Sequence, residues 1–271
     1  GDDDRRKALE ADYAYAAVDS CAADSLCVTA CPVAIDTGAV MKRLRSERHS
    51  DLSQSVGTFT ARHWSGAVTG VRTALTVAHK VPTPVTRALT RTVRGLGATE
   101  LIPDWQEDIP RSGAPRPAAR RPEQAQAVFF AACIGTLFAS GTDGEAPRGA
   151  AGAFLALCDR AGIAVRVPEG LDGLCCGTPW QSKGFTRGHR AMAERTLSAL
   201  WEASDHGRLP VVCDASSCTH GLLQLTDALP PEERTRYEGL RFVDSVEFAV
   251  ERILPALPKP RQVNSLALHP T

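Results

Sequence analysis

The chain has 271 residues, with 31 Lys+Arg balanced by 31 Asp+Glu and 43% hydrophobic residues. That length supports one large or two modest domains with real cores, and the zero formal charge excludes a globally basic nucleic-acid-binding protein. No uninterrupted run of about 18 apolar residues is present to span a bilayer, and the polar start GDDDRRKALEADY is not a signal peptide.

In chain order, the first landmark is CAADSLCVTACPV, Cys21 to Val33. Residues 37–100 then read as mainly helical. TGAVMKRLRSERH opens with Thr37 as N-cap after a Cys-Pro turn. SGAVTGVRTALTVAHK and PVTRALTRTVRGLG have helical spacing, the latter stopping at Gly95 or Gly97. PDWQEDIPRSGAPRPAARRPEQAQ, residues 103–126, carries five prolines and few apolar residues, and reads as a linker.

Beyond it the pattern changes. AVFFAACIG is a short apolar run that predicts a buried strand, and APRGAAGAFLALCDRAG predicts a helix ending at Gly162. IAVRVPEG predicts a second strand, and KGFTRGHRAMAERTLSALWEASDHG a helix ending at Gly207. LPVVCDASSC predicts a third strand running into a turn, DSVEFAVERIL a helix, and VNSLALHPT the start of a further strand. Strands alternating with helices argue for an α/β layer with a largely parallel sheet.

Nine cysteines without a secretion signal suggest metal or redox chemistry more than disulfides. Cys21, Cys27 and Cys31 stand as C-x5-C-x3-C-P. This is nearly the cluster-wrapping run C-x2-C-x2-C-x3-C-P, with Asp24 where the second cysteine belongs. A carboxylate there supplies an oxygen ligand, a poorer match than thiolate for iron, so that corner is expected to be labile. The competing reading is a helix N-terminus that Asp24 merely caps.

The second set is Cys133, the adjacent Cys175 and Cys176, and Cys218, spaced C-x41-CCG-x40-C, with Cys213 ahead of Cys218. Adjacent cysteines cannot both point inward from one regular element, and Gly177 supplies the freedom for an irregular turn. Three loops at one end of a sheet then converge on one centre, an iron–sulfur cluster or a zinc ion held by thiolates. The alternative is a buried, unreactive pair. Cys213 reads equally as strand core or ligand, and Cys158, inside a helical apolar stripe, reads as core.

Lys183 and His220 lie near these loops, the first as a charge beside an anionic centre and the second as a ligand or proton carrier; surface roles suit both at least as well. Residues 37–100 carry ten Lys/Arg. Of these, Arg87, Arg91 and Arg94 share a helix face, which suits an acidic domain, an anionic membrane surface or plain solvation. No phosphate-binding glycine fingerprint and no Ser/His/Asp arrangement is present, so no catalytic residue is assigned.

The CCG string with its flanking single cysteines resembles the cysteine-rich CCG domain of heterodisulfide reductases and of glycolate oxidase iron–sulfur subunits. Together with CAADSLCVTACPVAIDTG and VVCDASSCTHG, residues 14–271 resemble the C-terminal iron–sulfur part of FAD-linked oxidoreductases of the D-lactate dehydrogenase (cytochrome) and glycolate oxidase type.

The resemblance implies an α/β fold class in three parts. A helical ferredoxin-like domain occupies 1–102, the Pro-rich linker 103–126, and an α/β CCG domain with a mainly parallel sheet 127–271. It implies a [4Fe–4S] cluster on Cys21, Asp24 and Cys27, with Cys31 as fourth ligand or partner to a remote site. A second iron–sulfur or zinc centre falls to Cys133, Cys175, Cys176 and Cys218, with Cys213 beside them. FAD is expected on a flavin domain preceding these segments, and a second CCG unit from about Val263, which would make this chain a fragment that is inactive alone. Electrons are expected to pass from flavin to a cytochrome or quinone, in the cytoplasm or peripherally at the inner face of the cell membrane. A heterodisulfide-reductase-like catalyst and a zinc-stabilised interaction scaffold are the alternative readings. Two features depart from the pattern. The closing C-x2-C is absent, since Ala215 stands three residues before Cys218, and one Cys-Pro run is present where helical ferredoxin domains have two.

Overall fold

A computed structural model of the chain describes residues 2–95, 104–138, 149–258 and 265. It is a mixed α/β structure whose four strands form one all-parallel sheet. The helical first part comprises α1 (Asp2–Tyr13), α2 (Cys27–Ala30), α3 (Thr37–Arg48), α4 (Asp51–Arg62), α5 (Trp64–Ala78) and α6 (Thr83–Val93). The cap of α3 is Asp36 rather than Thr37, because its Oδ1 accepts from the Ala39 N–H at 2.8 Å. Helix α4 is capped by Ser50, whose hydroxyl accepts from the Ser53 N–H at 3.3 Å.

The α/β part runs β1 (Ala127–Phe130), α7 (Ile134–Leu137), α8 (Gly149–Arg160), β2 (Val165–Arg166), α9 (Thr178–Lys183), α10 (Thr186–Ala203), β3 (Val211–Cys213), α11 (Ser216–Leu223), α12 (Pro231–Arg234), β4 (Phe242–Asp244) and α13 (Ser245–Phe248). The order across the sheet is β2-β1-β3-β4. All four residues of β1 are fully buried, with Phe129 stacked on Phe154 of α8 at 4.6 Å. Burying such a ring stabilises the fold by about 1.5–3 kcal/mol.

From β1 the chain moves one way to β2, then returns past β1 to β3 on its other side. That reversal makes the carboxyl ends of β1 and β3 the switch point of the sheet, where open α/β folds leave a crevice for ligands.

Three expectations need correction. The helix expected from 183 to 207 is broken at Gly184, whose φ of +79° ends α9 before α10 begins. Strand β4 was not anticipated, because three half-buried residues give no readable alternation. Cys218 lies inside α11 rather than in the turn before it. Of the strand expected over 263–271, only Ser265 is described, and it lies in neither helix nor strand; Gly97 is outside the described residues.

The proline-rich segment is packed rather than free. Trp105 is buried and meets His79 edge-on at 5.1 Å. The Gly113 N–H donates to Thr136 O at 3.0 Å, and Arg120 forms an antiparallel bridge with Val167.

Helix α4 lies against α10 so closely that backbone meets backbone. A Cβ on Gly188 would sit 2.6 Å from Gly57 O and 2.5 Å from Trp180 Cδ1. Trp180 Nε1 donates to that same Gly57 carbonyl at 2.9 Å. Gly188→Ala is therefore expected to destabilise the fold by about 1–3 kcal/mol in urea denaturation, through overpacking. Gly70→Ala, in open space on the exposed side of α5, is expected to stabilise by roughly 0.5–1 kcal/mol through helix propensity. Equal effects of the two substitutions would refute the close contact.

Candidate functional site

Five cysteines meet at the switch point. Cys133 precedes α7 just beyond β1, Cys175 and Cys176 occupy the loop before α9, Cys213 ends β3, and Cys218 lies in the first turn of α11. All five are buried. Their thiols form a row of neighbours: Cys133 with Cys175, Cys175 with Cys176, Cys176 with Cys218, and Cys218 with Cys213.

Local sequence explains the placement. Gly177 takes φ of +86°, and a Cβ there would lie 2.7 Å from both His189 Cδ2 and Leu225 Cδ1. Glycine is thus required twice over, for conformation and for space. Thr196 Oγ1 donates to Cys175 O at 3.0 Å and accepts from Cys175 N at 3.3 Å, pinning the vicinal pair to α10. Asp214 Oδ1 accepts from the Ala132 N–H at 2.6 Å, joining the loops after β3 and β1 across the crevice. Burial raises the Asp214 pKa.

The row has an alternating proton preference. Cys176 is held far below the usual thiol range because Cys175 and Cys218 donate to it, as does Thr178 Oγ1, 3.3 Å away. Cys133 is lowered by donation from Cys175, burial opposing and Arg116 assisting. Cys175 and Cys218, as donors, are pushed up by those same contacts and by burial. Cys158 stands apart in the core of α8, its thiol pushed up to about 11 by burial.

Among the described residues, no three His, Cys, Asp or Glu side chains are placed to share one metal ion. The thiols stand as a row rather than as a closed shell around one point. In donor chemistry the five soft sulfurs suit iron–sulfur or zinc–thiolate ligation, each of which takes four of them.

The N-terminal cysteines form a separate exposed loop. Ala23 (φ 56°), Ser25 (φ 64°) and Ala34 (φ 52°) are left-handed without being glycine, a costly run of backbone conformations. That path turns backbone N–H groups onto sulfur: Ala23 N donates to Cys21 Sγ at 3.3 Å and Ile35 N to Cys31 Sγ at 3.4 Å. Cys27 Sγ lies 2.7 Å from Thr37 Oγ1 at the start of α3, and its pKa is lowered by that hydroxyl, with the Thr37 and Gly38 N–H groups adding to it. Asp24 is exposed, and its Oδ1 accepts from the Leu26 N–H at 3.1 Å, a local turn contact.

Several residues carry more than the sequence signalled. Arg45 is buried in α3 and donates to Val18 O, Asp19 O and Cys21 O before the first loop, and to Ser182 O in α9. Arg116, in the proline-rich segment, is 8% exposed and donates to Leu171 O and to Leu174 O at 2.8 Å. His189 of α10 is buried beside Gly177, and burial pushes its pKa down to about 4. It lines a cavity of about 420 Å³ between α3 and α9, with Lys42, Trp180 and Gln181. No spacing rule marks any of these three.

Lys183 and His220 are exposed. Arg87 donates to Trp105 O at 3.3 Å, and Arg91 pairs with Asp104 at 3.2 Å, so part of the basic face of α6 is engaged within the chain. No helix among the described residues is long and apolar enough to cross a membrane. No family model, no curated protein and no solved structure matches this chain.

Two pH responses follow. In the reduced, metal-free chain, Cys27 is expected to react with iodoacetamide at a lower pH than an ordinary thiol, and Cys158 only near pH 11. Thr37→Val should move the Cys27 profile upward; an unmoved profile would show that the hydroxyl does not stabilise the thiolate. For His189 the folded pKa of about 4 lies below the unfolded value of about 6.5. The unfolded chain binds the proton first, so stability is full above that range and falls as pH drops from about 6.5 toward 4, by up to ~3 kcal/mol. His189→Gln should flatten that part of the stability–pH curve, and a curve parallel to wild type would contradict the assignment.

Proposed function

We propose that the chain is the iron–sulfur electron-transfer portion of an FAD-dependent D-2-hydroxy-acid dehydrogenase, with D-lactate or glycolate as substrate. In this reading a helical ferredoxin-like part precedes a CCG part, and electrons pass from a flavin domain to a cytochrome or quinone acceptor. The observation that carries it is the meeting of five buried thiols, drawn from positions 133 to 218, at the switch point of a parallel sheet. It is supported by the second, exposed set with backbone N–H groups turned onto two of its sulfurs.

When bound, iron–sulfur clusters supply one-electron transfer without proton chemistry of their own. The protein's own residues do the rest. Cys133, Cys175, Cys176, Cys213 and Cys218 would hold the buried centre, and the core around them excludes water. Cys21, Asp24, Cys27 and Cys31 would hold the exposed one, with Thr37 and the start of α3 favouring the Cys27 thiolate. Arg45 ties the two regions into one body, fixing the path between them. A location in the cytoplasm, or at the inner face of the cell membrane, belongs to the same reading.

Purification without oxygen, followed by iron, acid-labile sulfide and zinc analysis, tests it. A brown protein with iron and sulfide in comparable amounts is expected, and stoichiometric zinc without iron would overturn it. On exposure to air the exposed centre should lose iron, because an oxygen ligand holds it weakly. Asp24→Cys should resist that loss; identical paramagnetic resonance behaviour in the two proteins would remove Asp24 from the ligand set.

A further inference from the structure

Arg116 carries a buried charge that makes no ion pair among the described residues, although it acts on Cys133 and on Asp214. It sits between Pro115 and Pro117 on the strap that leads into β1, and it is 8% exposed. Its Nη1 is spent on the carbonyls of Leu171 and Leu174, the residues that lead into Cys175. Its Cζ lies 5.5 Å from the ring centroid of Phe130, the last residue of β1 and three before Cys133. The guanidinium therefore bridges the two loops that bring Cys133 and Cys175 to the switch point. Among the described residues its Nε and Nη2 are buried with no hydrogen-bond partner. Those two N–H groups form the edge of the fork that suits paired acceptors.

A buried cation with a free edge is costly. Each stranded donor forfeits the hydration it has in the unfolded chain, and forfeits more where the group is charged. A hydrophobic residue could fill the same space without that cost, so the arrangement suits a negative partner facing that edge. The row of thiols supplies one: thiolates on bound metal make a net anion beside this charge.

We propose that Arg116 is the fixed counter-charge of the switch-point centre, holding the guanidinium edge toward an anionic, thiolate-bound cluster and setting its reduction potential. The inference rests on the electron-transfer reading above. Adding an electron makes such a centre more negative, and a nearby positive charge favours the reduced form. Removing the charge must then lower the potential. Arg116 touches no reacting atom in this account; it acts through the electrostatics of the centre.

The test is a spectroelectrochemical titration of the protein isolated without oxygen, carrying its metal. The feature belonging to the switch point is the one that disappears in Cys175→Ser. Arg116→Gln should lower the midpoint potential of that feature and leave the remaining features in place. Arg116→Lys keeps the charge on a shorter arm that loses the two carbonyl anchors, and should lower it by a smaller amount. Should Arg116→Gln not fold, the lysine variant carries the test. An unchanged potential in the folded variants overturns the role of Arg116 while leaving the electron-transfer reading intact. Absence of any Cys175-dependent feature in the unmodified protein overturns that reading instead, and the inference with it.

Discussion

A single buried guanidinium, that of Arg45, makes one body of two cysteine regions far apart in sequence. Among the described residues it has no acidic partner. Its donors go to backbone carbonyls at Val18, Asp19 and Cys21 on one side and at Ser182 on the other. A charged donor held by carbonyl dipoles forms hydrogen bonds stronger than neutral ones, and losing it would strand the buried Val18 carbonyl at about 1–3 kcal/mol and break the part-buried bonds to Asp19, Cys21 and Ser182. The consequence is geometric. The loop that starts at Cys21 and the helix that follows the Cys175–Cys176 pair are fixed against the same side chain.

The neighbouring contacts reinforce that arrangement. Gly57 and Gly188 let α4 and α10 approach to backbone distance, and Gln54 Nε2 donates to Gly184 O at 3.0 Å where α9 ends. His49 stacks on Phe185 with ring centroids 4.2 Å apart. These polar and close-packed contacts suit a rigid relation between a solvent-facing loop and a buried site, which is what electron relay requires of a scaffold. Within the buried site the chain then solves a charge problem. Adjacent thiols cannot all ionise, so they alternate as donors and acceptors, and the Arg116 charge favours the thiolate of Cys133.

Much of the α/β half was legible in the sequence because its strands are short apolar runs set between polar or turn-forming segments. AVFF, VVC and the helices ending near Gly162 and Gly207 announce themselves in this way. The crevice residues Cys133, Cys175, Cys176 and Cys218 were legible from cysteine spacing alone, since thiols are rare and their clustering is informative. What was not legible depends on tertiary contact. Asp36 replaces Thr37 as cap because the carboxylate reaches the Ala39 N–H. Strand β4 exists through pairing with β3, not through its own pattern. Arg45, Arg116 and His189 look like ordinary surface residues in the sequence and acquire their roles by burial. The proline-rich segment reads as a spacer because composition reports stiffness and polarity, not the contacts that Trp105 and Arg116 make.

The central claim is that the thiols at the carboxyl ends of β1 and β3 hold one iron-containing centre. Anomalous diffraction at the iron edge, from crystals grown without oxygen, addresses it directly. The account predicts an iron peak bonded to Cys175 and Cys176 beside the end of β1, and a second within the Cys21–Cys31 loop. Iron confined to the N-terminal loop, or a zinc peak at the switch point, would contradict it.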